Sequence, residues 1–456
     1  MHPTRQVAHG ALLCALALAA AGCGGEDAGD EPWDGTRPSA ATPRDSLLSP
    51  VVPPDASFTS ADSTLDALQH TFDEYSWQAF VALNWPVGAN GQPDTAQTIG
   101  ASGDHATVWE TYKESYEVFL PGGVTPAPWG APRAYPPACN GVAPAGTPVF
   151  RMLTKAPEDV LDAMQEPFQT GPLIDQDSNY VRYAIHMNRD AFEFIVQDSL
   201  YSAQAQTRVD SVRFPAGDST HTGAIVIKSA WKVLGPRDRP ERFHKSRVLV
   251  YTPASTDPVV PESCVLRTMG LVGFHVAHKT QSAPQWLWST FEQVDNVRVP
   301  EGSGLRPSFF NPACTGCPVN EPLPPPWNPN VKAAPSQITR VIPIDSATAA
   351  LNGVWQARLR GVSAQSVWQH YELVSTQWPT NPGASLGGPT PMGNPAPQFL
   401  ANTTLETYIQ GQVPNVSSSC IGCHNNATTT TGVFSDFSYL LERAQGVRTA
   451  SRQGGN

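Results

Sequence analysis

Positive charge is scarce in this sequence. Lys and Arg number 29 against 40 Asp and Glu, a net charge of −11 over 456 residues, and no basic cluster stands out. Nucleic acid and anionic lipid surfaces are poor partners for such a chain. A Gly-rich phosphate loop, a G-x-S-x-G elbow and a compact acidic metal cluster are all missing, so no nucleotide pocket, serine hydrolase or carboxylate metal centre is marked. After the first 23 residues no apolar run approaches the length of a membrane span. Disorder is also disfavoured: Pro and Gly together make 81 residues, below the roughly 25–30% typical of disordered chains. Hydrophobic residues at 40% can build a core. The high proline count predicts long, stiff loops around it.

The N-terminus reads as an export signal. Arg5 lies in a short polar start, and "ALLCALALAAAGC" then runs apolar to Cys23 and ends in small residues. Ala20-Ala21-Gly22-Cys23 resembles the lipobox of bacterial lipoproteins, which implies removal of residues 1–22 and a membrane anchor through a lipidated Cys23; ordinary cleavage after small residues is the alternative. Residues 1–22 carry only Arg5 among charged groups, so the mature chain has 28 basic and 40 acidic residues, a net −12. Residues 23–62, rich in Gly, Pro, Asp and Ser, read as a flexible tether.

From 63 to 400 the pattern predicts an α+β body. Ser63 with Asp66 resembles a capping box before a helix whose stripe is Leu65, Leu68, Phe72, Tyr75, Ala79 and Leu83, ended by Pro86. "YVRYAIHM" alternates Val181, Tyr183, Ile185 and Met187 against Arg182, Ala184 and His186, as a strand does, and "RDAFEFIVQDSLY" follows as a helix. "GAIVIKSAWKVL", "SRVLVYTP" and "CVLRTMGLVGFHVAHKT" are further strands, and their short connections favour antiparallel pairing. "DSATAALNGVWQARLRG" reads as a helix ended by Gly361, and "SVWQHYELVSTQW" as a strand. Residues 301–335 and "NPGASLGGPTPMGNPAPQF" read as long loops. Residues 401–456 form a small helical C-terminal segment, with Thr403 and Glu406 as a capping box before "TLETYIQ" and an apolar stripe of Phe437, Leu440, Leu441 and Ala444.

The chemistry sits in that last segment. Cys420, Cys423 and His424 spell C-x-x-C-H, the spacing of a covalent haem c site. Two thiols three positions apart on a tight turn can each reach one vinyl group, and the next imidazole then lies under the iron. The rivals are a zinc site pairing these thiols with Cys314 and Cys317, and a plain disulfide beside an idle histidine. Cys314-x-x-Cys317 is followed by Pro318 and lacks the proximal ligand, so one haem is expected. Cys139, Cys264, Cys314 and Cys317 are an even set in an oxidising compartment, and two disulfides are expected without an assigned pairing. Only 32 residues follow His424, with neither Met nor His among them. The distal iron position is therefore open or filled from upstream, by Met392 in "PTPMGNP" or by His275 or His278 in "GLVGFHVAH". His275 would share a strand face with Leu271, Gly273 and Ala277, small enough in part to admit a flat macrocycle. His186 and His370 occupy similar strand contexts. Trp77, Trp85, Trp286 and Trp288 read as core residues with a bonded indole N–H.

Residues 420–424 resemble the haem-attachment motif of the c-type cytochromes. "SWQAFVALNWP", "QWLWSTFEQVDN" and "SSSCIGCHNNA" are similar to phrases in large exported cytochrome c family proteins whose function is unassigned. The resemblance implies one covalent haem c, iron ligation by His424 and one-electron transfer with a redox partner protein in the periplasm or at the cell surface. Two other expectations stand beside it: a haem-dependent peroxidase or oxygenase with an open distal site, and a surface binding module with an accessory haem.

Overall fold

The computed structural model describes residues 48–58, 64–100, 105–151, 171–218, 221–256, 259–324, 327–387, 392–411 and 418–446. The proposed signal and most of the tether lie outside these residues. The architecture is α+β, with a largely antiparallel sheet and helices packed on it. No helix among the described residues is long and apolar enough to cross a membrane.

Helix α1 spans Leu65–Leu83. Ser63 lies outside the described residues; Thr64 is the cap, and its side chain accepts from Ala67 N at 3.1 Å. The strands are β1 (Lys113–Glu114), β2 (Val149–Phe150) and β3 (Arg182–Met187), then helix α2 (Arg189–Gln197), β4 (Ile225–Val233) and β5 (Lys245–Thr252). A small hairpin, β6 (Ser255–Thr256) with β7 (Val259–Val260), precedes the long β8 (Ser263–His278) and β9 (Leu287–Gln293). Helix α3 (Ser346–Val362), β10 (Tyr371–Pro379), β11 (Pro395–Ala396) and the one-turn helix α4 (Cys420–His424) follow. Over the described residues the main sheet runs β1-β3-β4-β8-β9-β10-β11, with β5 on the other half of β8. Among the described strands only β2 departs from antiparallel pairing, lying parallel to β5. Gly270 of β8 faces Lys232 of β4 and Lys245 of β5 at once, so β5 and β4 use opposite edges of that strand.

Both sheet faces are covered. On one, Trp77 and Phe80 of α1 and Trp355 of α3 pack with Trp231, Phe274 and Phe291. On the other, Tyr183, Ile185 and Met187 pack with α2 and with Ile421, Phe437, Leu440 and Leu441 of the C-terminal segment. The segment after residue 401 thus shares a core with the sheet. The polar face of β3 is buried too: Arg182 donates to Tyr251 O and Thr252 Oγ1, while His186 packs edge-on against Trp109 and its Nδ1 finds no hydrogen-bond partner among the described residues.

Among the described residues two disulfides form, Cys139–Cys264 and Cys314–Cys317. The first closes a loop of 125 residues, a constraint worth about 4–5 kcal/mol in a chain-entropy account. The second commits two of the four thiols that a zinc site would need.

Three boundaries differ from expectation. Helix α3 runs through Gly361 to Val362. The stretch predicted as a strand from Ser366 begins only at Tyr371. Residues Val367–His370 form a 3-10 turn because the Gln369 amide donates to Ala364 O and Ser366 O. No helix forms in "TLETYIQ". The Thr403 N–H and hydroxyl are both taken by Glu292 of β9, and Asn402 does the capping, accepting from Thr404 N at 2.9 Å and Leu405 N at 3.2 Å. Tertiary partners outbid the local helix signal.

His278 yields a pH prediction. Its Nε2 lies 2.6 Å from Thr222 O, an acceptor, so Nε2 carries the proton and Nδ1 accepts from the Tyr75 hydroxyl. Burial pushes the imidazole down from 6.5 to about 4. A depressed folded-state value means the stabilisation is complete above pH 6.5 and is lost as pH falls towards 4, about 3 kcal/mol in all. Denaturation across that window is expected to show a steeper acid loss for the wild type than for His278→Gln.

Candidate functional site

Helix α4 holds the motif. Ser419 caps it, its hydroxyl accepting from Gly422 N at 3.1 Å. Gln377 of β10 reaches over so that its Oε1 accepts from Ile421 N at 2.7 Å. Two of the N–H groups that a helix start leaves unmade are thereby satisfied, one by the sheet. Ile421 is fully buried and plugs the turn into the core, Cys423 is buried and Cys420 half-buried.

The imidazole of His424 is oriented from three sides. Nδ1 lies 2.8 Å from the carbonyl oxygen of Phe437. A carbonyl only accepts, so the proton sits on Nδ1 and the lone pair on Nε2, the tautomer that iron ligation requires. Trp288 of β9 packs against the ring at 4.3 Å between centroids, and Tyr439 lies at 5.1 Å, edge-on. The Tyr439 hydroxyl donates to Cys423 O at 2.8 Å, and burial raises its pKa well above the usual phenol value, so it stays a donor. The chain beyond the motif is gripped by Gln206, which accepts from Thr430 N at 2.9 Å and donates to Leu441 O at 2.9 Å. The expected stripe of Phe437, Leu440, Leu441 and Ala444 is buried on this side of the sheet, formed from a 3-10 turn over Tyr439–Arg443.

These residues fit a haem c. Two thiols and an imidazole lie on one short helix, the ring is held in the ligating tautomer, and the walls around it are apolar and aromatic. Among the described residues no group of three or more His, Cys, Asp or Glu is arranged to hold a metal ion, and a porphyrin iron asks the protein for axial ligands only.

The upstream residues considered for the distal side fall in different places. His278 has both nitrogens engaged, as above. His275 Nε2 lies 3.1 Å from Glu406 Oε2. The space beside Gly273 is filled: a Cβ there would meet Thr404 Oγ1 at 2.1 Å and Leu405 at 3.3 Å, so the glycine admits the chain leading to the motif rather than a macrocycle. His186 is buried against Trp109, its pKa pushed down to about 3 by burial. His370 precedes β10, its pKa also pushed down by burial, to about 4. Met392 packs half-buried against the same core that Cys420 and Trp288 join. Its neighbour Gly393 has φ +84° and closes on Pro379, which a Cβ would meet at 2.7 Å, so the Met392 turn is pinned to the end of β10.

Sequence reasoning missed the Phe437 carbonyl, Gln377 and the contact of Trp288 with His424. Trp288 alone carried a signal, as one of two alternating Trp in "QWLWS". Compared with known proteins, the chain matches no family model, no curated protein and no solved structure.

Proposed function

We propose that this chain is an exported, lipid-anchored, mono-haem c-type cytochrome that passes single electrons to a redox partner protein. The observation that carries the reading is the His424 imidazole, directly after two thiols on one helical turn and tied through Nδ1 to Phe437 O. Cys420 and Cys423 would hold the macrocycle by thioether bonds and His424 would take the iron. Haem c so attached supplies a one-electron ferric/ferrous couple. Ile421, Trp288, Phe437, Leu440 and Leu441 exclude water from that side, which lowers the local dielectric and biases the potential. Export and the anchor at Cys23 belong to the same proposal and rest on the N-terminal sequence.

The engagement of His278 with Tyr75 and Thr222 favours a second reading, a haem peroxidase or oxygenase with an open distal position. Met392 separates the two readings: if it held the iron the protein would be a carrier, and if it only covered apolar surface the iron would stay open. Absorption spectra of the oxidised and reduced protein, with and without carbon monoxide, test both. The carrier predicts a low-spin spectrum that carbon monoxide leaves unchanged. A large carbon monoxide shift selects the enzyme, and a colourless protein refutes both.

A further inference from the structure

We propose that Lys279, Asp436 and Trp286 are positioning residues for the axial histidine, acting through the Phe437 carbonyl; this rests on the haem reading above. Asp436 and Phe437 have φ of 55° and 67°. A left-handed backbone is an outlier for a residue as bulky as Phe, at a cost of order 1–3 kcal/mol, and survives only where the surroundings over-determine it. Trp286, at φ 66°, has the same conformation. Both aromatic outliers among the described residues therefore belong to one small region, and Asp436 connects them.

Three parts of the body converge on Asp436. Its carboxylate pairs with Lys279, just beyond the end of β8. Its Oδ2 also accepts from Phe214 N at 2.8 Å. Its backbone carbonyl accepts from Trp286 Nε1 at 2.9 Å, from just before β9. Ser435 closes the turn from the other side, its N–H donating to Ala427 O at 2.9 Å and its hydroxyl to Ser438 O at 2.7 Å. So held, the 435–438 turn points the Phe437 carbonyl at His424 Nδ1.

Stability alone does not account for the arrangement. Lys279 and Asp436 are 5% and 2% exposed, and a buried ion pair is commonly no more stabilising than apolar residues of the same volume. What the pair supplies is a fixed direction for one carbonyl. That direction sets how strongly Nδ1–H is bonded, and the bond in turn strengthens electron donation from Nε2. A strong Nδ1–H bond favours the ferric state and lowers the potential. Releasing the turn weakens it.

The test uses the full haem-loaded protein and the variants Asp436→Asn, Lys279→Met and Trp286→Phe. The last removes a single N–H while keeping an aromatic ring, and so remains informative if the charged pair proves essential for folding. Trp77→Phe, on the opposite sheet face, controls for a general loss of stability. The expected result is covalent haem retained in each folded variant, with the potential shifted upward in the clamp variants and unmoved in Trp77→Phe. Haem-loaded clamp variants with the wild-type potential overturn the inference. A wild-type protein without covalent haem overturns the proposed function and the inference with it, an outcome read from the protein's mass before any potential is measured.

Discussion

On the proposed haem reading, pigment is expected to leave the polypeptide when Cys420 and Cys423 are both changed to Ser: acid–acetone treatment of the variant should give a colourless chain, and its mass should lack the tetrapyrrole increment expected of the wild type. The effect is all-or-none because a hydroxyl makes no thioether. Loss of the haem also removes whatever stability its binding supplies. His424→Ala is expected to keep some covalent pigment but to lose the low-spin spectrum, since in the proposed site the thiols would attach the macrocycle and the imidazole would hold the iron. Cys314→Ser with Cys317→Ser is the decisive control. Those thiols form a disulfide among the described residues, so that variant should stay fully pigmented. Pigment lost there and kept in the Cys420/Cys423 variant would transfer the site to the other C-x-x-C.

Glu292→Ala is expected to destabilise the fold by about 3–5 kcal/mol, the range for breaking a buried ion pair on one side. Glu292 is 1% exposed. It accepts from Arg340 Nη2 at 2.7 Å, from Thr403 N at 2.5 Å and from Thr403 Oγ1 at 2.7 Å. Its removal strands a mostly buried guanidinium and two donors of the segment leading to the motif. Asn402 on the same segment donates to Thr290 Oγ1 and Phe291 O, both at 2.9 Å, so β9 is the strand on which that segment is built. Denaturant titration of Glu292→Ala, with Glu292→Gln expected to lose less, reads the effect. A loss below 1 kcal/mol in the alanine variant would show that Glu372, also beside Arg340, takes over the pairing.

Elements with a clean period were legible. The helix α1 and the alternation of β3 emerge where their patterns place them, because each is a property of adjacent residues and of one backbone geometry. Of the α1 stripe Phe72, Tyr75, Ala79 and Leu83 are buried, whereas Leu65 is exposed and Trp77 and Phe80, outside the stripe, join the core. The alternation said nothing of its second face: Arg182 and His186 are buried, Arg182 donating to Tyr251 O and Thr252 Oγ1 and His186 packed against Trp109. The capping box at Thr403 and Glu406 misled for a related reason. The same side chains that would start a helix were bonded first by Glu292 and by Asn402. Gly273 was legible as a small residue but not as to what it accommodates, because the occupant, Thr404, comes from a distant part of the chain.

The sequence by itself determined the donor set, two thiols and an imidazole spaced to fall on one turn, because that geometry is complete within five consecutive residues. It also determined the charge balance that disfavours nucleic acid as a partner. Only the tertiary structure decided which carbonyl faces His424, which strand grips the start of α4 and that both nitrogens of His278 are already engaged. Those relations join residues as far apart as Lys279 and Asp436, 157 positions along the chain. Strand register and buried hydrogen bonding bring such pairs together, and no local periodicity encodes them.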